Sequence, residues 1–309
     1  MWTPGPSSRE QTLRGVRPAA VAGLFYPDDR SELRRTVDRF LLDAVQPAPH
    51  VPKAVIAPHA GYPYSGPIAG SAFEPFRPLA GRIERIVLLG PSHRVAFRGL
   101  ALPAADVFAT PLGPIEVDIA IAERLLELPQ VRVDARPHAQ EHALEVELPF
   151  LLQVLGPFRL VPLVVGEATD AEVAEVLRQA WGGEETRIVI SSDLSHFLSY
   201  AAARELDGRT AEEIASLAGG LRSEQACGAR PINGLLKIAR ELRMESTVLD
   251  LRNSGDTAGG RDQVVGYGAF TFATLDPATL DPATLDPATS DLEHDLTPST
   301  QGGRHVEAG

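Results

Sequence analysis

Apolar residues along this chain gather into short unbroken runs separated by stripes of helical period. Ala54 to Ala57, Ile86 to Leu89 and Arg187 to Ser192 are dominated by consecutive branched or small apolar side chains, as is Leu160 to Val165. Runs of this length without polar alternation predict strands covered on both faces. Between them the spacing changes. Leu33, Val37, Phe40 and Leu41 share one helical face behind Asp29 as a plausible cap, and Thr169 to Glu172 reads as a capping box opening a helix to Trp181. Pro231 stands near the start of a helix striped by Ile232, Leu235, Leu236, Ala239 and Leu242. Ala143, Val146, Phe150, Leu151 and Val154 predict a further helix with Glu141, His142 and Glu145 in its first turn. Strands alternating with helices indicate an α/β domain.

Three of the strand-like runs hand over a histidine. Ala54 to Ala57 leads into Pro58-His59, Ile86 to Leu89 into Gly-Pro-Ser-His93, and Arg187 to Ser192 into Asp193 and His196. Residues delivered at the carboxyl ends of neighbouring strands meet where open α/β sheets bind ligands.

Composition bounds the rest. The 309 residues contain 44% hydrophobic residues, enough for one large core. The net charge is −12, and residues 275–309 carry seven acids against one arginine, half of that total. That stretch repeats LDPAT three times, a period too short for a solenoid, and is expected to be a disordered tail. A Pro/Gly/Ser-rich lead through Arg17 is expected to be flexible, leaving 18–274 as the folded domain. A mildly acidic body without a basic patch argues against nucleic acid as a partner, and no window is apolar enough to span a membrane. The single cysteine, Cys227, excludes an internal disulfide and fits a reducing, cytoplasmic setting.

His59, His93, Asp193, His196 and Cys227 carry the candidate chemistry. Imidazole, thiolate and carboxylate donors on separate loops can converge on one metal ion. Asp193 is close enough in sequence to orient His196 or to line one pocket with it, and Cys227 just precedes a helix whose N-terminus favours thiolate. Glu141 and His142 either serve the helix start or hydrogen-bond a ligand histidine. Tyr62 either lines the pocket or packs.

The segments APHAGYPYSG at 57–66, LLGPSH at 88–93, EHALEVELPFL at 141–151, SSDLSH at 191–196 and ACGARPI at 226–232 together resemble the MEMO family, whose prokaryotic members are called AmmeMemoRadiSam system protein B. The resemblance runs from about Ala19 to Thr274. It implies a fold similar to the LigB-type class III extradiol dioxygenases, a single domain with a central mixed sheet and helices on both faces. It also implies metal ligation by His59 and His93, with His196 as the acid/base residue, Asp193 beside it, and Cys227 where those enzymes have a glutamate. A thiolate there shifts preference from iron toward copper or zinc and puts extradiol cleavage in question. Three functions follow as expectations. The first is a non-haem iron or copper protein with redox or oxygen chemistry. The second is a binding or scaffold protein working with a radical-SAM protein and an AMMECR-domain protein. The third is a metal-dependent hydrolase.

Overall fold

The computed structural model describes residues 13–45 and 47–274; the LDPAT repeats and the first twelve residues lie outside them. In chain order the elements are β1 (Val16–Arg17), α1 (Arg30–Leu42), β2 (Ala54–Ala57), α2 (Tyr62–Phe73), β3 (Arg85–Pro91) and β4 (Leu100–Leu102). Then come β5 (Val107–Phe108), β6 (Ile115–Glu116), α3 (Ile119–Leu125), β7 (Val131–Val133), α4 (Ala135–Ala139), α5 (Leu148–Leu155), β8 (Arg159–Val165) and α6 (Asp170–Ala180). The chain continues through β9 (Thr186–Ser191), β10 (His196–Leu198), α7 (Tyr200–Ala215), α8 (Ala229–Glu241), β11 (Met244–Asn253) and β12 (Val264–Thr274).

Nine strands form the main sheet in the order β10-β12-β2-β9-β3-β8-β4-β7, with β11 also paired to β12. Its centre, β2-β9-β3-β8, is parallel, and β12 and β4 run antiparallel to the strands they flank. The unbroken apolar runs have a direct cause. Alternate residues of β2, β3, β8 and β9 enter two different cores, Val55, Leu88, Leu160 and Val189 on one face and Ile56, Val87, Val161 and Ile190 on the other. Helices α1, α2 and α5 close the first core, and α3, α6 and α8 the second. The expected mixed sheet with helices on both faces is therefore present.

Local signals set most element boundaries. Asp29 accepts the Glu32 amide at 2.8 Å to cap α1, and Thr169 and Glu172 form the full capping box of α6. Helix α2 begins at Tyr62, with Pro63 in its first turn, where no amide is needed. Its Gly70 lies so close to α1 that a Cβ there would be 2.2 Å from the Phe40 carbonyl oxygen.

Two expectations are corrected. The lead does not end at residue 17: Val16 and Arg17 pair with β5, and Arg17 is buried. The Arg17 guanidinium pairs with Glu145 and donates to the carbonyls of His138 and Glu141. Glu145 also accepts the amides of Ala20 and Val21 and the Tyr26 hydroxyl. Second, residues 141–144 are not the first turn of a helix. A 3-10 turn spans Glu145–Glu147 and α5 starts only at Leu148, with Pro149 in its first turn.

Candidate metal centre

The three parallel strands β2, β3 and β9 deliver their polar groups to one place. His59, two residues beyond β2, is buried, and its amide donates to Asp193 Oδ1 at 2.7 Å just past β9. Its Nδ1 lies 2.7 Å from Ser191 Oγ, which also contacts the carbonyl of Ala143 and Glu147 Oε1. One proton arrangement satisfies this cluster: a neutral Glu147 and the His59 Nδ1–H both donate to Ser191, whose hydroxyl donates to Ala143. Glu147 is fully buried, and burial pushes its carboxyl well above the usual range. The His59 Nε2 then faces the site as an acceptor, with the Cys227 thiol 3.2 Å away.

His93 follows β3, and its ring Nδ1 lies 2.8 Å from Glu141 Oε1, which leaves Nε2 free. Burial works against the Glu141 charge, but hydrogen bonds from His93 and nearby amides outweigh it and hold the carboxyl below its ordinary value. His142, the next residue, stacks its ring on His93 with centroids 4.6 Å apart. Phe25 from the N-terminal segment covers His142 at 4.7 Å.

The ligating atoms of His59, His93 and His142 lie within 4.8 Å of one another. Two further observations fit a cation there. The His142 Nδ1 is buried without a hydrogen-bond partner; it sits 3.3 Å from Glu141 Oε1, outside hydrogen-bond geometry. Two of the rings, His59 and His142, also favour the neutral, ligating form. Burial pushes His59 well below its ordinary value and His142 down to about 4, with Glu141 pulling His142 upward and His93 and Arg94 lowering it further.

Cys227 reaches the same place from the turn before α8. Its Sγ is 3.2 Å from His59 Nε2, and its amide donates to the Asp193 carbonyl. Gly228 makes the approach possible, since a Cβ there would lie 2.6 Å from the Ser192 Cβ. The expected thiolate is corrected: burial drives the thiol strongly upward, Asp193 adds to this, and nearby hydrogen bonds only partly offset it.

Asp193 and His196 do not form the expected pair. Asp193 spends its carboxylate on the His59 backbone, and burial raises it to about 7. His196 begins the edge strand β10, half-buried, with its pKa lowered mainly by burial. Phe197 beside it adopts φ of 60°, a left-handed conformation unfavourable for a bulky residue, and stands exposed. Tyr62 turns away from the site; its hydroxyl donates to the Val146 carbonyl and its ring packs on Phe150.

The family is decided by comparison with known proteins. A family model described as Memo-like protein matches residues 17–271. The chain belongs to the MEMO family. A MEMO1 family protein of Aquifex aeolicus is 36% identical, the match covering 82% of this chain and 97% of that protein. A MEMO1 family protein of Sulfolobus acidocaldarius is 34% identical with the same coverage. An uncharacterized protein from Escherichia coli K12, known from a crystal structure, superposes with a TM-score of 0.48 at 15% identity, covering 71% of this chain and 99% of that one.

Sequence reading places the histidines and offers Glu141, which holds His93, but misses Ser191 and Glu147 behind His59. Ser191 and Glu147 are hidden because a serine closing a strand and a glutamate inside an apolar stretch carry no motif. No helix among the described residues is long and apolar enough to cross a membrane.

Proposed function

We propose that this MEMO-family protein carries a non-haem metal centre in which His59 and His93 hold the ion, with His142 and Cys227 flanking His59 as the remaining donors. The convergence of three imidazoles within 4.8 Å carries the reading. The two pinned rings support it: Ser191 and Glu141 each take up an Nδ1, the arrangement that fixes tautomer and orientation around metal ligands. A mixed nitrogen and sulfur donor set favours copper or zinc, and two histidines with open positions also suit iron. Iron or copper bound there would supply redox or oxygen chemistry, as the resemblance to LigB-type dioxygenases suggests. His93 is the accessible ligand, with 28% of its side chain exposed, and His196 lies within electrostatic reach of it as the group that moves a proton. The lone thiol is consistent with cytoplasmic work beside a radical-SAM protein and an AMMECR-domain protein.

Elemental analysis of protein purified anaerobically without chelators or affinity nickel tests the centre. Stoichiometric iron or copper, lost in His93→Ala with folding intact, is the expected result. Zinc alone, accompanied by esterase activity, would instead favour a metal-dependent hydrolase. Full metal retention in His93→Ala, or metal-free wild type that takes up none of these ions, overturns the reading.

A further inference from the structure

Beside the candidate metal centre lies a pocket of about 350 Å³, lined in part by His93 and Cys227. Its walls include apolar side chains, Val95, Phe97 and Val165 among them, and it holds two arginines and one carboxylate, Arg94, Arg230 and Glu167. Arg230 donates to Glu167 at 2.6 Å, so those two charges neutralise each other. Arg94, the residue after His93, is exposed and has no ion-pair partner among the described residues. The pocket therefore carries one uncompensated positive charge.

The size suits a small molecule. Small-molecule sites span about 300–1,000 Å³, and this pocket falls at the lower end. Apolar walls reward an apolar body, and a guanidinium fork matches a carboxylate through paired charge-assisted hydrogen bonds. From these features we infer that the pocket binds a small organic carboxylate, its charge held by Arg94 and its body against Val95 and the edge of Phe97. This names the substrate class for the metal centre proposed above and rests on that reading only for the ligand's role as substrate. Glu167 sets the charge selectivity. While it occupies Arg230, a monoanion is matched and a dianion is not.

Cyclohexanecarboxylate is the probe, with cyclohexanecarboxamide as neutral isostere and cyclohexyl phosphate as dianion. Affinities are measured calorimetrically on metal-loaded and chelated protein, with metal content determined on the same samples. The carboxylate is expected to bind about tenfold more tightly than the amide, a preference worth one charge-assisted contact. Arg94→Gln should erase the preference, and Arg94→Lys should keep part of it, since the charge remains without the fork. Glu167→Gln should raise the phosphate's affinity relative to the carboxylate by roughly fivefold by freeing Arg230. Equal binding of carboxylate and amide overturns the inference, as does an unchanged preference in an Arg94→Gln protein that unfolds like wild type. Carboxylate selectivity in a protein that takes up no metal would sink the metal centre and leave the anion site standing. Metal uptake without selectivity would do the reverse.

Discussion

A single carboxylate grips both ends of His93. Glu141 Oε1 lies 2.8 Å from the ring Nδ1, and Oε2 accepts the His93 backbone amide at 2.7 Å. The ring is thereby fixed in rotation, and its tautomer is set with Nε2 facing the site. Replacing Glu141 by Gln keeps the shape but weakens the grip, so metal affinity should fall by about 10–100-fold with near-native thermal unfolding. Competition with a chelator of known affinity reads this directly, and unchanged affinity would remove Glu141 from the ligand's support.

Proton counting separates the flanking donors. Burial keeps the Cys227 thiol protonated in the metal-free protein, whereas His142, with its pKa near 4, is already neutral at pH 7. A metal-bound thiol loses its proton outright, so loading near neutral pH should release about one proton per ion. Titration in buffers of different ionisation enthalpy measures the release. It should vanish in Cys227→Ser and persist in His142→Ala; the reverse pattern would take the thiol out of the donor set.

His138 gives a pH dependence separate from the proposed centre. It is buried with Nε2 against the Ala101 carbonyl, and burial lowers its pKa to about 4. The folded protein thus holds the ring neutral where the unfolded chain, titrating near 6.5, binds a proton. Its contribution is full above pH 6.5 and is lost as pH falls toward 4, a change of up to roughly 3 kcal/mol. Urea unfolding between pH 7 and 4 should show this slope, reduced in His138→Gln.

The Arg17 and Glu145 pair is expected to be a point of fragility. Both side chains are almost wholly buried, and Glu145 accepts three hydrogen bonds besides the ion pair. Replacing Arg17 by Ala leaves a buried charge without its partner, a change that costs about 3–5 kcal/mol in comparable settings. A lower urea midpoint with unchanged slope would confirm it, and a shift below 1 kcal/mol would show that water replaces the guanidinium.

The strand ends were legible because strands covered on both faces write themselves as unbroken apolar runs, and a polar residue just after such a run has few places to go. The loop at 141–147 was not. Its apolar positions continue the spacing of α5 back to Ala143, so it reads as helix. Pro149 lacks the amide needed to bond back to Glu145, and Glu145 is drawn aside to receive the amides of Ala20 and Val21. The role of Arg17 was hidden for a related reason: its partner lies 128 residues away, and composition marks its neighbourhood as unpackable. Cys227 was placed rightly beside a helix start, yet burial outweighs the helix field.

The distance along the chain between the site's members sets an order in time. Cys227 and His59 touch across 168 residues, and the Phe25 that covers His142 lies still nearer the chain's beginning. During synthesis, a chain that has emerged only as far as β8 would present His59, His93 and His142 without β9, which lies between β2 and β3. A stray ion could meet those imidazoles before the strand that aligns them exists. Selective loading of the proposed centre would therefore belong to the finished chain, after β9 has slotted between its neighbours and brought Ser191 and Asp193 up to His59.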